Sequence, residues 1–252
     1  MSGQLIDLHS HILPGLDDGS RNMRESLEMA RMAVKGGIRV MAATPHGDMV
    51  SDPAMLFAAV RDLSEALQKE RIPLRLLVGM EILGSSDTAR LLKENKLYTL
   101  NSSNYPLIEF HVGAGDSMPE RVAQTRILQD VIQAGFRPII AHPERYASVR
   151  KNPAIVNLWS EMGCLFQINR GSLLGRFGGE VQEVAMELTR RGFATVVASD
   201  AHRQDERVPR LDDIWTLLER RVAPQAAQCL LLENPRRILK NQEPVKMKPE
   251  WF

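Results

Sequence analysis

His9 and His11, one residue apart, are the first side chains in this sequence with the spacing to do chemistry. On an extended strand side chains alternate with period two, so both imidazoles point to one side and can reach one metal ion. Asp17-Asp18-Gly19 follows, a glycine-punctuated loop that returns a carboxylate toward the pair. Downstream, His46, Glu81, Glu109, His142, Asp200 and His202 each fall where an apolar run ends. Five of the six histidines thus sit at such ends, two as His-x-His and one as Asp-x-His. A lone histidine is more often structural; this pattern is that of a metal site. Spacing does not choose between Asp17 and Asp18. The sixth histidine, His111, follows Glu109-Phe110 and takes either a supporting or an exposed role.

The donor types narrow the ion. Imidazole and carboxylate without thiolate suit manganese, iron or zinc rather than a structural zinc finger. Nine donors exceed what one ion takes, so two or three ions are expected, with a carboxylate such as Glu81 bridging them. Ions about 3.5–4 Å apart can activate water and neutralise a phosphate. Cys164 and Arg170 formally match the spacing of a cysteine-dependent phosphatase loop. Such a loop must curl its backbone around the phosphate, which glycines permit. Leu165-Phe166-Gln167-Ile168-Asn169 instead alternates like a strand, so Cys164 reads as a packed core thiol.

The elements that must position these donors follow from apolar periodicity. Residues 5–8 form a short apolar strand. Residues 21–35 carry Met23, Leu27, Ala30 and Val34 at helical spacing, and Gly36-Gly37 stops them. Residues 38–43 form a second strand, and Ser51-Asp52-Pro53 starts a helix running to about residue 70. A third strand, 74–80, ends at Glu81; a fourth, 106–110, carries Glu109; a fifth, 137–141, delivers His142. A sixth spans 164–168 and a seventh 194–198, ending in Ser199-Asp200-Ala201-His202. Helices fall between them, at 86–94, at 119–134, from Asn152-Pro153 onward and at 181–191. Two more, at 211–222 and 224–232, follow the last strand.

Short apolar strands alternating with helices imply a parallel sheet covered on both faces. An open doubly wound sheet would leave several of the donor-bearing strand ends far apart. A closed barrel brings all of them to one mouth. The expected fold is therefore α/β, a distorted (β/α)7 relative of the eightfold TIM barrel. Residues 1–240 are expected as a single domain and 241–252 as a polar, proline-bearing tail.

With 252 residues, 44% of them hydrophobic, the chain can bury a large core. Its net charge of +1 and lack of a long basic run give no reason to expect nucleic acid as a partner. No run of eighteen apolar residues and no signal-peptide pattern is present, so membrane insertion is not expected. Two cysteines, Cys164 and Cys229, are too few for a disulfide framework. A cytoplasmic protein is expected.

His9-Ser10-His11, Asp17-Asp18-Gly19, Thr44-Pro45-His46, Gly79-Met80-Glu81, Ile108-Glu109-Phe110, Ala141-His142-Pro143-Glu144-Arg145 and Ser199-Asp200-Ala201-His202 together resemble the PHP (polymerase and histidinol phosphatase) superfamily. Within it they are most similar to the bacterial capsule-type, manganese-dependent tyrosine-protein phosphatases. The resemblance runs from residue 6 to about 240 and implies a distorted (β/α)7 barrel with a trinuclear site. It implies one ion on His9, His11, Glu81 and Asp200, and a second on bridging Glu81 with Glu109 and His142. The third would sit on Asp18, His46 and His202. It also implies that Arg145 and Arg207 hold the substrate phosphate, for which a guanidinium offers forked donors. Arg203, beside His202, adds a charge that the resemblance does not assign.

The function implied is hydrolysis of phosphotyrosine on a protein, a bacterial tyrosine kinase that controls capsular or exopolysaccharide synthesis. The alternative is a small-molecule phosphatase of the histidinol-phosphate type using the same metals. A non-catalytic module of the same fold is disfavoured by the complete donor set.

Overall fold

The computed structural model describes residues 4–113, 116–245 and 250–252. The chain runs β1 (Leu5–Asp7), α1 (Met23–Lys35), β2 (Ile38–Ala43), α2 (Pro53–Lys69), β3 (Arg75–Val78), β4 (Glu81–Leu83), α3 (Thr88–Lys93) and β5 (Leu107–Glu109). It continues through α4 (Met118–Gln133), β6 (Ile139–Ala141), α5 (Ala147–Lys151), α6 (Ile155–Glu161), β7 (Leu165–Asn169), α7 (Arg170–Leu173), α8 (Gly179–Arg190) and β8 (Val196–Ala198). Three helices close it, α9 (Asp212–Arg221), α10 (Ala226–Gln228) and α11 (Asn234–Leu239).

Helix ends follow local chemistry. Asn22 caps α1 by accepting from the Glu25 amide at 3.1 Å. Asp52 caps α2 from the Ala54 amide at 2.8 Å, with Pro53 in the first turn. Ser117 and Glu120 form a reciprocal capping box at the start of α4.

Every strand pair is parallel, in two sheets ordered β1-β2-β3 and β4-β5-β6-β7-β8. Single bridges join them: Ser10 pairs with Ala201 beyond β8, and His46 pairs with Glu81 at the head of β4. Among the described residues the barrel-like ring therefore has eight short strands and two seams, where seven strands and a closed ladder were expected. One seam lies at Gly79, which splits the expected third strand. A Cβ there would stand 2.9 Å from Thr44 Cγ2 and 3.0 Å from Leu100 Cδ2. The bare glycine lets the backbone pass between these side chains, so Glu81 opens β4 instead of ending β3.

The strands distribute their apolar residues between two clusters with period two. Ile139, Ala141 and Leu165 pack with Ile6, Leu8, Leu107 and Val196. Ile140, Phe166 and Ile168 belong instead to the cluster that holds Leu63, Leu128 and Leu188 of the helices. Each fully buried Leu or Ile contributes roughly 1.5–3 kcal/mol. Charge is tolerated inside such a ring only where polar partners compensate for lost water.

One expectation about the C-terminal part is corrected. Helical structure continues past residue 232, because a π turn over Cys229–Glu233 places Pro235 in the first turn of α11. The wider π turn, closed by the Asn234 amide on the Cys229 carbonyl, precedes this proline, which has no N–H to donate. Residues 241–245 and 250–252 are not free of the body. Tyr105 donates to the Gln242 carbonyl at 2.9 Å, and Val245 donates to Asn234 at 2.7 Å. Phe252 stacks on Phe193 with ring centres 5.6 Å apart. The aromatic pair Trp251-Phe252 outweighs the polar composition of the rest.

Candidate metal centre

The four donors expected around the first ion meet at close quarters. His9 Nε2 and His11 Nε2 stand 3.2 Å apart, and lie 3.1 and 3.2 Å from Glu81 Oε2. Asp200 Oδ1 is 3.4 Å from the first nitrogen and 3.5 Å from the second. Ligand atoms about 2.1 Å from one ion stand roughly 3.0–3.4 Å from each other, so these four have the spacing of a coordination shell.

Two more donor groups adjoin it. His142 Nε2 lies 2.8 Å from the other oxygen of Glu81 and 3.9 Å from Glu109 Oε2. His46 Nδ1 lies 2.8 Å from Glu109 Oε1 and 3.3 Å from Glu81 Oε2. Asp18 Oδ1 is 3.3 Å from His202 Nε2 and 3.6 Å from His46 Nε2. All nine expected donors fall into four overlapping sets in which ligand atoms lie within 4.8 Å of one another. Glu81, His9, His11 and His46 each belong to two sets.

The choice between Asp17 and Asp18 is visible in the geometry. Asp17 is turned to the back of His11, 2.6 Å from Nδ1, and accepts from the amides of Gly19 at 3.0 Å and His46 at 3.1 Å. Asp18, not Asp17, stands among the donors. His111 is exposed and lies outside every set. Arg203 donates to the Asp18 carbonyl at 3.2 Å and so braces the loop that carries it.

Residues not anticipated from the sequence support the donors. Gln167 Oε1 accepts from His9 Nδ1 at 2.8 Å, and its amide nitrogen donates to Asn169 Oδ1 at 2.7 Å. Asn169 in turn donates to Asp200 Oδ2 at 2.6 Å. The chain His9–Gln167–Asn169–Asp200 therefore begins and ends on one donor set. The signal was present in β7, where two amides alternate with Phe166 and Ile168. Asp7 accepts from the amide of Ser199 at 3.0 Å and from its hydroxyl at 2.5 Å, tying the strands that carry His9 and Asp200.

The backbone is held in an unusual conformation at three of these positions. His142, Asp200 and Arg207 have φ of +33°, +50° and +49°. Non-glycine residues adopt such angles at a cost, and keep them only where surroundings impose them. At His142 the surroundings are Tyr146, which donates to the Ala141 carbonyl at 2.6 Å and accepts from the Phe110 amide at 3.0 Å. Glu144 adds a bond from the Asn169 amide at 2.9 Å. At Arg207 the turn closes through the His202 amide on the Arg207 carbonyl at 3.0 Å.

Electrostatics favour a cation at the centre. Burial opposes charge on His9, but Glu81 and Asp200 outweigh it and hold the imidazole at about 9. His11 is raised well above its ordinary value against the same burial, by bonds to Asp17, Asp200 and Glu81. Burial likewise works against ionised Glu81 and Asp200, yet His9 and His11 hold both well below the usual carboxylate range. His202 moves the other way, lowered by burial and by neighbouring His11. Its Nδ1 lies 3.0 Å from the Asp200 carbonyl, which can only accept, so Nδ1 carries the hydrogen. The buried Nε2 has no hydrogen-bond partner although Asp18 Oδ1 is 3.3 Å away. Two lone-pair-bearing atoms facing each other fit a shared cation. The residues present therefore fit a divalent metal cluster.

Arg145 and Arg207 stand at the outer side of this cluster, each with Nη1 on Asp200 Oδ2, at 3.3 and 3.2 Å. Cys164 lies apart, buried and pushed up to about 12 by desolvation, which suits packing and not nucleophilic attack.

The family described as "Capsular polysaccharide synthesis, CpsB/CapC" matches residues 5–240. The chain belongs to the CpsB/CapC family. Tyrosine-protein phosphatase YwqE of Bacillus subtilis is 36% identical to it over 249 residues, 98% of this chain and 96% of its own. Tyrosine-protein phosphatase CpsB of Streptococcus pneumoniae is 30% identical, over 94% of this chain and 99% of its own. Crystallography of YwqE and CpsB describes them as unique metal-dependent tyrosine phosphatases. The matching chain superimposes on this CpsB/CapC member with a TM-score of 0.90 at 36% identity, covering 98% of this chain and 99% of that one. The phosphotriesterase homology protein of Escherichia coli shares the fold alone, with a TM-score of 0.60 at 9% identity over 95% of this chain and 99% of its own.

Proposed function

We propose that this chain is a metal-dependent protein-tyrosine phosphatase, a phosphomonoesterase acting on phosphotyrosine in a protein. The observation that carries the reading is the gathering of nine imidazole and carboxylate donors beneath two guanidinium groups. A full-length relationship to YwqE and CpsB supports the substrate class. The finer proposal is that the substrate is a bacterial tyrosine kinase governing capsular or exopolysaccharide synthesis, met in the cytoplasm. Among the described residues no helix is long and apolar enough to cross a membrane. Residues 1–240 serve as the phosphatase domain. No observation of the site favours the histidinol-phosphate alternative.

The proposed assignment puts His9, His11, Glu81 and Asp200 on one ion, and Glu81, Glu109 and His142 on a second. Asp18, His46 and His202 take a third. The proposed ion is manganese, with iron or zinc as substitutes, for this thiolate-free set of imidazoles and carboxylates. When bound, divalent ions supply an activated water and offset the charge of the phosphate oxygens. Arg145 and Arg207 grip those oxygens from the open side and meet the negative charge that develops on them. Asp17 and Gln167 keep His11 and His9 in the tautomer that leaves Nε2 free.

The test is hydrolysis of a phosphotyrosine peptide by protein stripped of metal and then reloaded with manganese, iron or zinc. Manganese should restore full phosphate release. Turnover that persists in stripped protein, or no turnover with any of the three, would overturn the reading.

A further inference from the structure

Phe177 sits outside both apolar clusters of the protein. Its ring instead covers the guanidinium of Arg145, whose Cζ lies 4.5 Å from the ring centre. The half-buried ring is carried on the turn between α7 and α8 by Gly175 and Gly178, with φ of +78° and +96°. That turn is closed by the Arg176 amide on the Gly171 carbonyl at 2.9 Å and by the Gly178 amide on the Gly175 carbonyl at 3.2 Å. Gly171 makes the seat for the ring: a Cβ there would stand 3.0 Å from Phe177 Cε2. An aromatic ring that leaves the core, on a glycine-shaped turn, to cover one cation is placed for that cation.

Arg145 is fixed at its backbone by other groups. Its amide donates to the His142 carbonyl at 2.9 Å, and its carbonyl accepts from Arg150, which is itself tied to Glu180 at 3.2 Å. Among the described residues the guanidinium beyond meets Asp200 at its edge and Phe177 on its face. The edge is the part that must serve phosphate oxygens. The face is free for an aromatic ring, which attracts a guanidinium without occupying its N–H groups.

We propose that Phe177 is a positioning residue for Arg145, holding the guanidinium at the plane and depth from which its N–H edge meets the substrate phosphate. The proposal rests on Arg145 being a phosphate clamp. Leucine at position 177 keeps apolar bulk and loses the ring, whereas tryptophan keeps an aromatic face.

The experiment uses the full chain loaded with manganese, with inorganic phosphate as the probe in calorimetry and a phosphotyrosine peptide for turnover. Phe177→Leu should weaken phosphate binding roughly 3- to 10-fold, in the range expected of a cation–π contact. Metal content and melting temperature should be unchanged, and Phe177→Trp should restore binding. Gly171→Ala, which displaces the ring without altering it, should act in the same direction. In an Arg145→Ala background Phe177→Leu should add no further loss. Undiminished phosphate binding in Phe177→Leu overturns the proposal, and so does a loss of the same size when Arg145 is absent. Loss of peptide turnover with intact phosphate binding also overturns it, because the ring would then be touching the substrate. If the wild-type protein failed to hydrolyse phosphotyrosine at all, the proposed function would fall. The phosphate-binding comparison would still decide the role of Phe177.

Discussion

Arg145 donates to the outer oxygen of Asp200 at 3.3 Å, while the inner oxygen of that carboxylate faces His9 at 3.4 Å. One side chain thus joins the proposed phosphate clamp to the candidate donor cluster, yet the two tasks use different atoms. Removing Arg145 should separate them. Arg145→Ala should retain its metal and lose about a hundredfold or more in kcat/KM, the effect of deleting a charged hydrogen bond to a transferring group. Glu81→Gln, at the residue shared by two donor sets, should lose metal and rate together. Elemental analysis beside steady-state kinetics checks both. An Arg145→Ala protein that is folded but empty of metal would contradict the division of labour.

Gln167 should matter almost as much as a ligand. Its amide bridges His9 Nδ1 to Asn169, which donates to Asp200, so two donors of one set are aimed through it. Gln167→Leu keeps the volume and leaves His9 Nδ1 and Asn169 Oδ1 unpaired in a buried place. Partners of this kind typically account for 10–100-fold in metal affinity, so roughly that loss is expected. Competitive chelator titration measures it, and unchanged affinity would remove Gln167 from the site.

How much of this was legible in the sequence differs from element to element. The bounds of β2 and the cap of α2 follow from local patterns, because a buried strand and an Asp-Pro helix start are written in adjacent residues. The nine candidate donors stand out because His-x-His, Asp-x-His and charged residues closing apolar runs are conspicuous against such strands. The break at Gly79 was not legible, since its cause is the approach of Thr44 and Leu100 from elsewhere in the chain. The same holds for the helix expected to end near 232, which a π turn over Cys229–Glu233 carries on into α11. Asp17 and Asp18 are identical in type and adjacent, and only the direction of each side chain separates them.

Protons and metal compete for His9, and the sign of that competition can be stated. In the metal-free protein burial disfavours its charge, but Glu81 and Asp200 raise His9 to about 9 from an ordinary value near 6.5. A raised imidazole contributes stability that is fully present below about 6.5 and is lost as pH climbs through about 9. Glu81 and Asp200 are depressed, so their contribution is present above the ordinary carboxylate range and lost as pH falls. Metal-free protein should therefore melt at progressively lower temperature from pH 6.5 to 9. Metal affinity should rise across the same window, because the ion must displace the His9 proton. Thermal melts and metal titrations at four pH values test this, and an affinity that falls with pH would reverse the sign.

Cys164 should prove dispensable for chemistry. It lies buried just before the N-terminal end of β7, with its thiol pushed up to about 12, and so is not a thiolate at neutral pH. Cys164→Ser should keep most of its turnover and lose modestly in stability, by about 1 kcal/mol, as a buried hydroxyl replaces a small apolar group. A thousandfold fall in kcat in a well-folded variant would restore the cysteine to the mechanism.

The choice of substrate follows from what the site would lack once metal displaced the protons of its imidazoles. Asp18 is lowered chiefly by neighbouring His202, and His9 and His11 hold Glu81 and Asp200 down against burial. These three carboxylates are ionised at neutral pH and have no proton to give a departing oxygen. His202, lowered by burial, has none to spare either. A tyrosine phenolate, whose conjugate acid has a pKa of about 10, can leave without that help far more readily than a serine alkoxide. The donors also lie deep: His9, His11, Glu81, His142, Asp200 and His202 are buried, whereas Asp18 at the rim is exposed. The longer reach of tyrosine carries its phosphate down to them better than serine does. On one manganese-loaded preparation, kcat/KM should therefore be at least about tenfold higher for a phosphotyrosine peptide than for its phosphoserine counterpart, a difference of roughly 1.4 kcal/mol in transition-state stabilisation. Equal values for the two peptides would mean that another group protonates the leaving oxygen, and would direct attention to Glu109 and His46 at the partly open side of the cluster.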